Sequence, residues 1–330
     1  MATQTEQSEI IVDASKRPLS REDIELRIGR VLKWVLIVFF AVITIFPFYW
    51  MLNISLRQEA DVITNPTRPF PSAEDIETNV EAIGCYLRFR TDNLNDNPDL
   101  PENCVGVFNQ SGFTFVLDQG FPTFIQNSLF LAAVTVVLTL LLTIPAAYAI
   151  TRLQFFGRSA MSWGILMIYM FPAIVLAIPL FVAFTRLQLV SLEGLIFVYL
   201  SGTLPVALYM LRSYFVTVPK DLEEAALIDG CTQLSAMVRV TLPLAMPAIA
   251  SVALYTFMIA WNEFLYAFLF LATRQGDATL PVGLYNLNDQ EVSINALMAG
   301  SLIISIPIIV IFFFFERFLT RGLTAGAVKG

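Results

Sequence analysis

The acidic side chains with chemistry to offer fall in two places. Asp221, Glu223 and Glu224 crowd the start of DLEEAALIDGCTQLSAMVRVTLPLAMP (Asp221–Pro247), and Glu263 stands in an apolar run beside Trp261 and Asn262. The first group follows Pro219, where a proline suits a helix's opening turn and carboxylates complement its positive end. Glu263 is costlier: a charge at bilayer depth is worth about 2.5–3.5 kcal/mol on insertion scales, so it faces a cavity or a partner. Neither group has an enzyme's usual company. Histidine is absent, which removes the commonest general base and metal ligand. Cys85, Cys104 and Cys231 lack metal-type spacing, so no metal site is expected. No Ser/His/Asp set or paired catalytic carboxylates occur in the apolar runs. No G-x-x-x-x-G-K-[ST] pattern is present, so the chain does not hydrolyse ATP by that route.

The elements that position these residues follow from composition. Of 330 residues, 56% are hydrophobic, only 14% are charged and 28 are Phe, and mean hydropathy is +0.68. Soluble domains carry about 25% charge, so the expected solvent is a bilayer. Windows at 31–52, 123–150, 161–185, 194–216, 245–272 and 297–316 are each long and apolar enough to span. The expected fold is therefore all-α: a polytopic membrane protein with six transmembrane helices. Basic residues orient it. Lys16, Arg17, Arg21, Arg27 and Arg30, then Arg152 and Arg158, then Arg212, Lys220 and Arg239, then Arg317, Arg321 and Lys329 share one side if both termini are cytoplasmic. This divides the chain into a tail at 1–30 without a visible signal peptide, the first span, an extracytoplasmic loop at 53–122, a core at 123–320 and a tail at 321–330.

The 53–122 loop is acidic, with Glu74, Asp75, Glu77, Glu81, Asp92, Asp96, Asp99 and Glu102 against Arg88 and Arg90. It accounts for the net charge of -7. Cys85 and Cys104, on the oxidising side, either close a loop worth about 3 kcal/mol in the chain-entropy model or remain two unrelated thiols. Cys231 lies on the reducing side.

Residues 219–243 fall on the cytoplasmic side between the fourth and fifth spans. Leu222, Ala225, Ala226 and Leu227 give a helix with an apolar face. Asp229-Gly230 supplies a left-handed stop, and a second helix over about 232–240 runs to Leu242-Pro243, which should break it. Such a rigid pair is either a plug for a groove on another protein or an ordinary helical loop.

Here the residues resemble a known family. Glu224-Ala225-Ala226, three residues, Gly230, nine residues, Val240, one residue and Leu242-Pro243 match the EAA-x3-G-x9-I-x-LP loop of ABC importer permeases, with Val240 as the one departure. FPFYWMLNISLR, FIQNSLFLA, FMIAWNEFLYAFLF and the closing RGLTAGAVKG are similar to carbohydrate-uptake permeases of the maltose-transporter type, specifically the subunit with six spans. The acidic loop is longer than the family pattern.

The resemblance implies an inner-membrane permease that forms a pathway with a second permease subunit. Two ATPase subunits bind and hydrolyse ATP with Mg, an extracytoplasmic solute-binding protein delivers the solute, and this chain itself holds no cofactor and binds no nucleic acid. It implies that Glu224, Ala225, Ala226, Gly230, Leu242 and Pro243 dock the ATPase, with Glu224 as the polar contact. It also implies that the tail (Gly322, Gly326, Lys329, Gly330) reaches the ATPases, and that Asn288, Asp289 and Gln290 lie in the loop that enters the binding protein. Frayed terminus and plain loop polarity are the alternatives for these last two. Asn127, Asn262 and Glu263 are candidate pathway residues or structural links to a neighbouring helix or partner subunit. The implied solute is an oligosaccharide or glycoside, with a polyol or glycerol-phosphate-like solute as alternative. An ion-coupled secondary transporter is the competing class; it would need intramembrane ion sites, for which Glu263 alone qualifies.

Overall fold

The computed structural model describes residues 21–89, 101–108, 110–170, 172–271, 274–289 and 292–326, and no strand occurs among them. The chain divides into two compact units, Met1–Trp50 and Met51–Gly330. The described part of the first unit is most of α1 (Arg21–Leu56), whose last turns belong to the second. Trp34, Phe39 and Phe40 are 55–61% exposed on different sides of α1. A helix apolar all round is built for lipid.

In the second unit, the acidic segment expected as a loop forms four short helices: α2 (Glu59–Thr64), α3 (Ala73–Arg88), α4 (Glu102–Phe108) and α5 (Gly112–Asp118). Local chemistry explains them. Ser72 and Asp75 form a reciprocal capping box at the start of α3, with bonds of 3.0 and 2.7 Å. Buried Asn79 donates to the Leu56 and Asp75 carbonyls and accepts from Ser111 Oγ. Arg57, fully buried, donates to the Asp61 carboxylate and to the carbonyls of Asp61 and Asn65. A disulfide joins Cys85 to Cys104 beside Phe108.

The remainder is a helical core. In chain order come α6 (Phe121–Arg152), α7 (Arg158–Tyr169), α8 (Ala173–Arg186) and α9 (Leu192–Thr217), then the short α10 (Lys220–Ile228), α11 (Gln233–Ala236) and α12 (Leu242–Leu244). They are followed by α13 (Met246–Asn262), α14 (Leu265–Leu271), α15 (Leu280–Asp289) and α16 (Ile294–Gly326). α6, α9, α13 and α16 pack together. Between α6 and α9 the contact is polar as well as close: the hydroxyls of Thr139 and Thr203 meet at 3.0 Å, and Thr143 bonds back to the Thr139 carbonyl. Small hydroxylated residues let helices approach where lipid supplies no hydrophobic drive.

α1 over Arg27–Leu56, α6, α9 and α16 over Ile294–Phe318 are long and apolar enough to cross a membrane. A fifth candidate is the pair Gln233–Leu244 and Met246–Asn262, bent by 77°. The third expected window, 161–185, is two helices, α7 and α8, because Pro172 caps α8 and interrupts the run. The fifth window is likewise divided, into α13 and α14, at Glu263–Phe264.

The acidic segment is fastened to α16. A β-carbon on Gly112 would fall 2.8 Å from the Asn295 backbone carbonyl, so α5 and the start of α16 touch backbone to backbone. Asn295 also donates to the Arg57 carbonyl at 3.1 Å.

Candidate functional site

α10 begins after Pro219, with Asp221 and Glu223 in its first turn. It ends in a full Schellman turn. Gly230 is left-handed (φ 87°), its N–H bonds the Leu227 carbonyl at 3.1 Å, and Cys231 N–H bonds the Ala226 carbonyl at 3.0 Å. Thr232 then caps α11 through Ser235 N–H. The expected break at Leu242-Pro243 does not occur there. Proline has no N–H for the carbonyl four residues back, and the preceding turn, Met237–Thr241, widens to a π-turn in which Leu242 N–H reaches the Met237 carbonyl. The helix runs on through Leu244 and bends at Ala245.

The site is anchored by Glu223, which the sequence marks only as one of the carboxylates at a helix start. Glu223, 6% exposed, accepts from Arg152 Nε at 2.8 Å, Thr241 Oγ1 at 2.7 Å and Tyr148 Oη at 3.3 Å. Arg152 also donates to the Val218 carbonyl at 2.9 Å. One carboxylate thus joins the end of α6, the start of α10 and the π-turn. Glu224, one residue on and about 100° around the helix, is exposed, as are Ala225, Gly230 and Pro243; Ala226 and Leu242 are half-buried. Met237 and Ala245 are buried with Ala147, Leu211, Phe215 and Val252, which seats the segment on α6, α9 and α13. Its other side is apolar and open: Leu222, Leu227, Ile228, Leu234 and Val238 are 40–86% exposed. The only hint of Glu223's role in the sequence is a basic Arg152 ending one apolar run and an acidic pair following another.

The remaining expected residues separate. Asn127 donates to the carbonyls of Gly276 and Ala278, and Ser128 Oγ accepts from Leu280 N–H, so the start of α6 holds the segment leading into α15. Glu263 accepts from Tyr266 and Ala267 N–H at 2.8 and 3.0 Å, capping α14. Asn262 is exposed beside an open groove of about 550 Å³. Asn288 and Asp289 end α15, and Gly322 and Gly326 lie in the last turns of α16, which is helical where a loose tail was one alternative. Gln290, Lys329 and Gly330 lie outside the described residues.

Helices long and apolar enough to cross a membrane, with a bent helix pair locked to them by one buried carboxylate, are the architecture to be placed among known proteins. The chain belongs to the family of binding-protein-dependent transport system inner membrane components, whose model matches residues 139–325. It is 36% identical over 88% of its length, and 93% of the relative's, to the inner membrane ABC transporter permease protein YcjP of Escherichia coli. To the trehalose/maltose transport system permease protein MalG of Thermococcus litoralis it is 33% identical over 94% of this chain and 99% of that one. The fold is shared with a chain of a bacterial ABC transporter involved in the import of the acidic polysaccharide alginate. That match has a TM-score of 0.65 at 21% identity and covers 91% of this chain and 99% of the other.

Proposed function

We propose that this chain is the six-span permease subunit of an ATP-driven carbohydrate importer, paired with a second permease and driven by two ATPase subunits through Glu224–Pro243. The names of its relatives support a sugar, among them the trehalose transport system permease protein SugB of Mycobacterium tuberculosis, 38% identical over 64% of this chain and 78% of that one. The carrying observation is the buried Glu223–Arg152 pair beneath an open apolar surface. Leu222, Ile228 and Leu234 offer a groove on an ATPase something to grip. The pair makes displacement of α10 act directly on the end of α6. Transmission between distant sites requires a stiff element, and this joint supplies the stiffness. In this reading both termini and the coupling segment are cytoplasmic, while the disulfide-bonded segment and α15 face the binding protein.

The test is purification of the tagged chain from its native membrane, with uptake of labelled trehalose and maltose. A nucleotide-hydrolysing companion should co-purify. Uptake should stop on ATP depletion or with vanadate and survive a protonophore alone. A particle with no such companion overturns the reading.

A further inference from the structure

The interruption between α13 and α14 leaves the carbonyls of α13's last turn without intrahelical donors. At bilayer depth such backbone persists only where protein buries it or water reaches it. Beside it lies the open groove, lined by Asn262, Phe264, Tyr285, Ser301 and Ile304 among others. Phe264 and Tyr285 have ring centroids 5.3 Å apart, and Phe268 meets Tyr285 edge-on at 5.1 Å. Tyr285 is 42% exposed. Asn262 spends one N–H on the Met258 carbonyl, and Ser301 donates its hydroxyl to the Leu297 carbonyl, which leaves its oxygen able to accept. Glu263 is turned to the backbone amides of Tyr266 and Ala267, and none of the residues that line the groove is charged.

Apolar ring platforms beside a few uncharged hydrogen-bonding groups suit a solute with C–H faces and hydroxyl edges. A lipid chain would use the rings but desolvate Asn262 and Ser301 without return. Resting on the importer reading above, we propose that this groove is a carbohydrate-contacting subsite on the transport route, contributed by this chain itself. Phe264 and Tyr285 serve as platforms, and Asn262 and Ser301 as hydrogen-bond partners.

The test uses the assembled importer, with its ATPases and binding protein, in proteoliposomes. In a Cys231→Ser background, Ser301→Cys should react with a membrane-impermeant cationic methanethiosulfonate. Maltose or trehalose at about four times its Kd or more should slow that reaction by about fivefold or more, since protection follows occupancy. Tyr285→Ala should raise the KM for uptake about tenfold while ATP hydrolysis stimulated by the binding protein persists. A thiol that does not react, or one that reacts equally with and without both sugars, overturns the subsite. A wild-type complex lacking ATP-driven uptake of either sugar fails the importer reading instead, and the thiol measurement distinguishes the two.

Discussion

Arg152 Nε donates to Glu223 Oε1 at 2.8 Å, joining the last turn of α6 to the first turn of α10 across 71 residues of chain. Both side chains are under 10% exposed. Removing one partner of a buried pair leaves the other charged and unmatched, which costs about 3–5 kcal/mol. Glu223→Ala should therefore lower the melting temperature of the purified complex sharply. Glu224→Ala, on the open side, should leave melting nearly unchanged, within about 0.5 kcal/mol, and lose uptake per ATP hydrolysed. Equal melting losses for the two variants would contradict this division of labour.

Gly230 presents a second, separable test. No atom lies within 4 Å of where its β-carbon would be, so a side chain meets no steric obstacle there. Its left-handed backbone alone penalises Gly230→Val, by about 1–2 kcal/mol. Under the importer reading, the variant inserts into the membrane and its partner ATPases still hydrolyse ATP, with transport uncoupled. Normal uptake would remove the turn from the coupling mechanism.

The acidic segment should show a specific acid sensitivity. The hydrogen bond from Arg57 holds the Asp61 carboxyl below its ordinary range, against a smaller opposing effect of burial. The unfolded chain therefore takes up this proton first. The stability that Asp61 contributes is complete above the usual carboxylate value of about 3.9 and is lost as pH falls through the lower folded value. Melting of the wild type should fall over that acid window, and Asp61→Asn should flatten that part of the profile. Parallel profiles would exclude the pair as its source.

Reduction of the Cys85–Cys104 bond, or Cys85→Ser, should release the constraint on a loop with a sequence separation of 19. In the chain-entropy model that is worth about 3 kcal/mol. Faster proteolysis of the acidic segment, with α6 to α16 still protected, is the expected result. An unchanged digestion pattern would mean that Ser72, Asn79 and Arg57 hold the segment without the bond.

Much of this molecule is readable from residue order, for physical reasons that differ by region. The long apolar runs announce α1, α6, α9 and α16 because bilayer thickness sets their length. Asp229-Gly230 announces its turn because the backbone there needs a residue without a β-carbon. The role of Glu223 is hidden, since its partners Tyr148 and Arg152 lie on α6 and only the helix phase decides which of two adjacent carboxylates turns inward. Helices α2 and α3 are masked by charge and rest on a capping box and on buried Asn79 and Arg57, whereas α4 and α5 turn Cys104, Phe108 and Val116 inward. Pro243 misleads because the π-turn before it absorbs the missing N–H, which moves the bend to Ala245.

The contact between Gly112 and Asn295 has a practical corollary for protein engineering. Because the two backbones touch with no room for even a methyl group, the cysteine-bearing insertion has a floor cut to its own shape. A chimera that grafts it onto another transporter must bring the opening turn of α16 along; transplanted alone, it would have nothing to stand on.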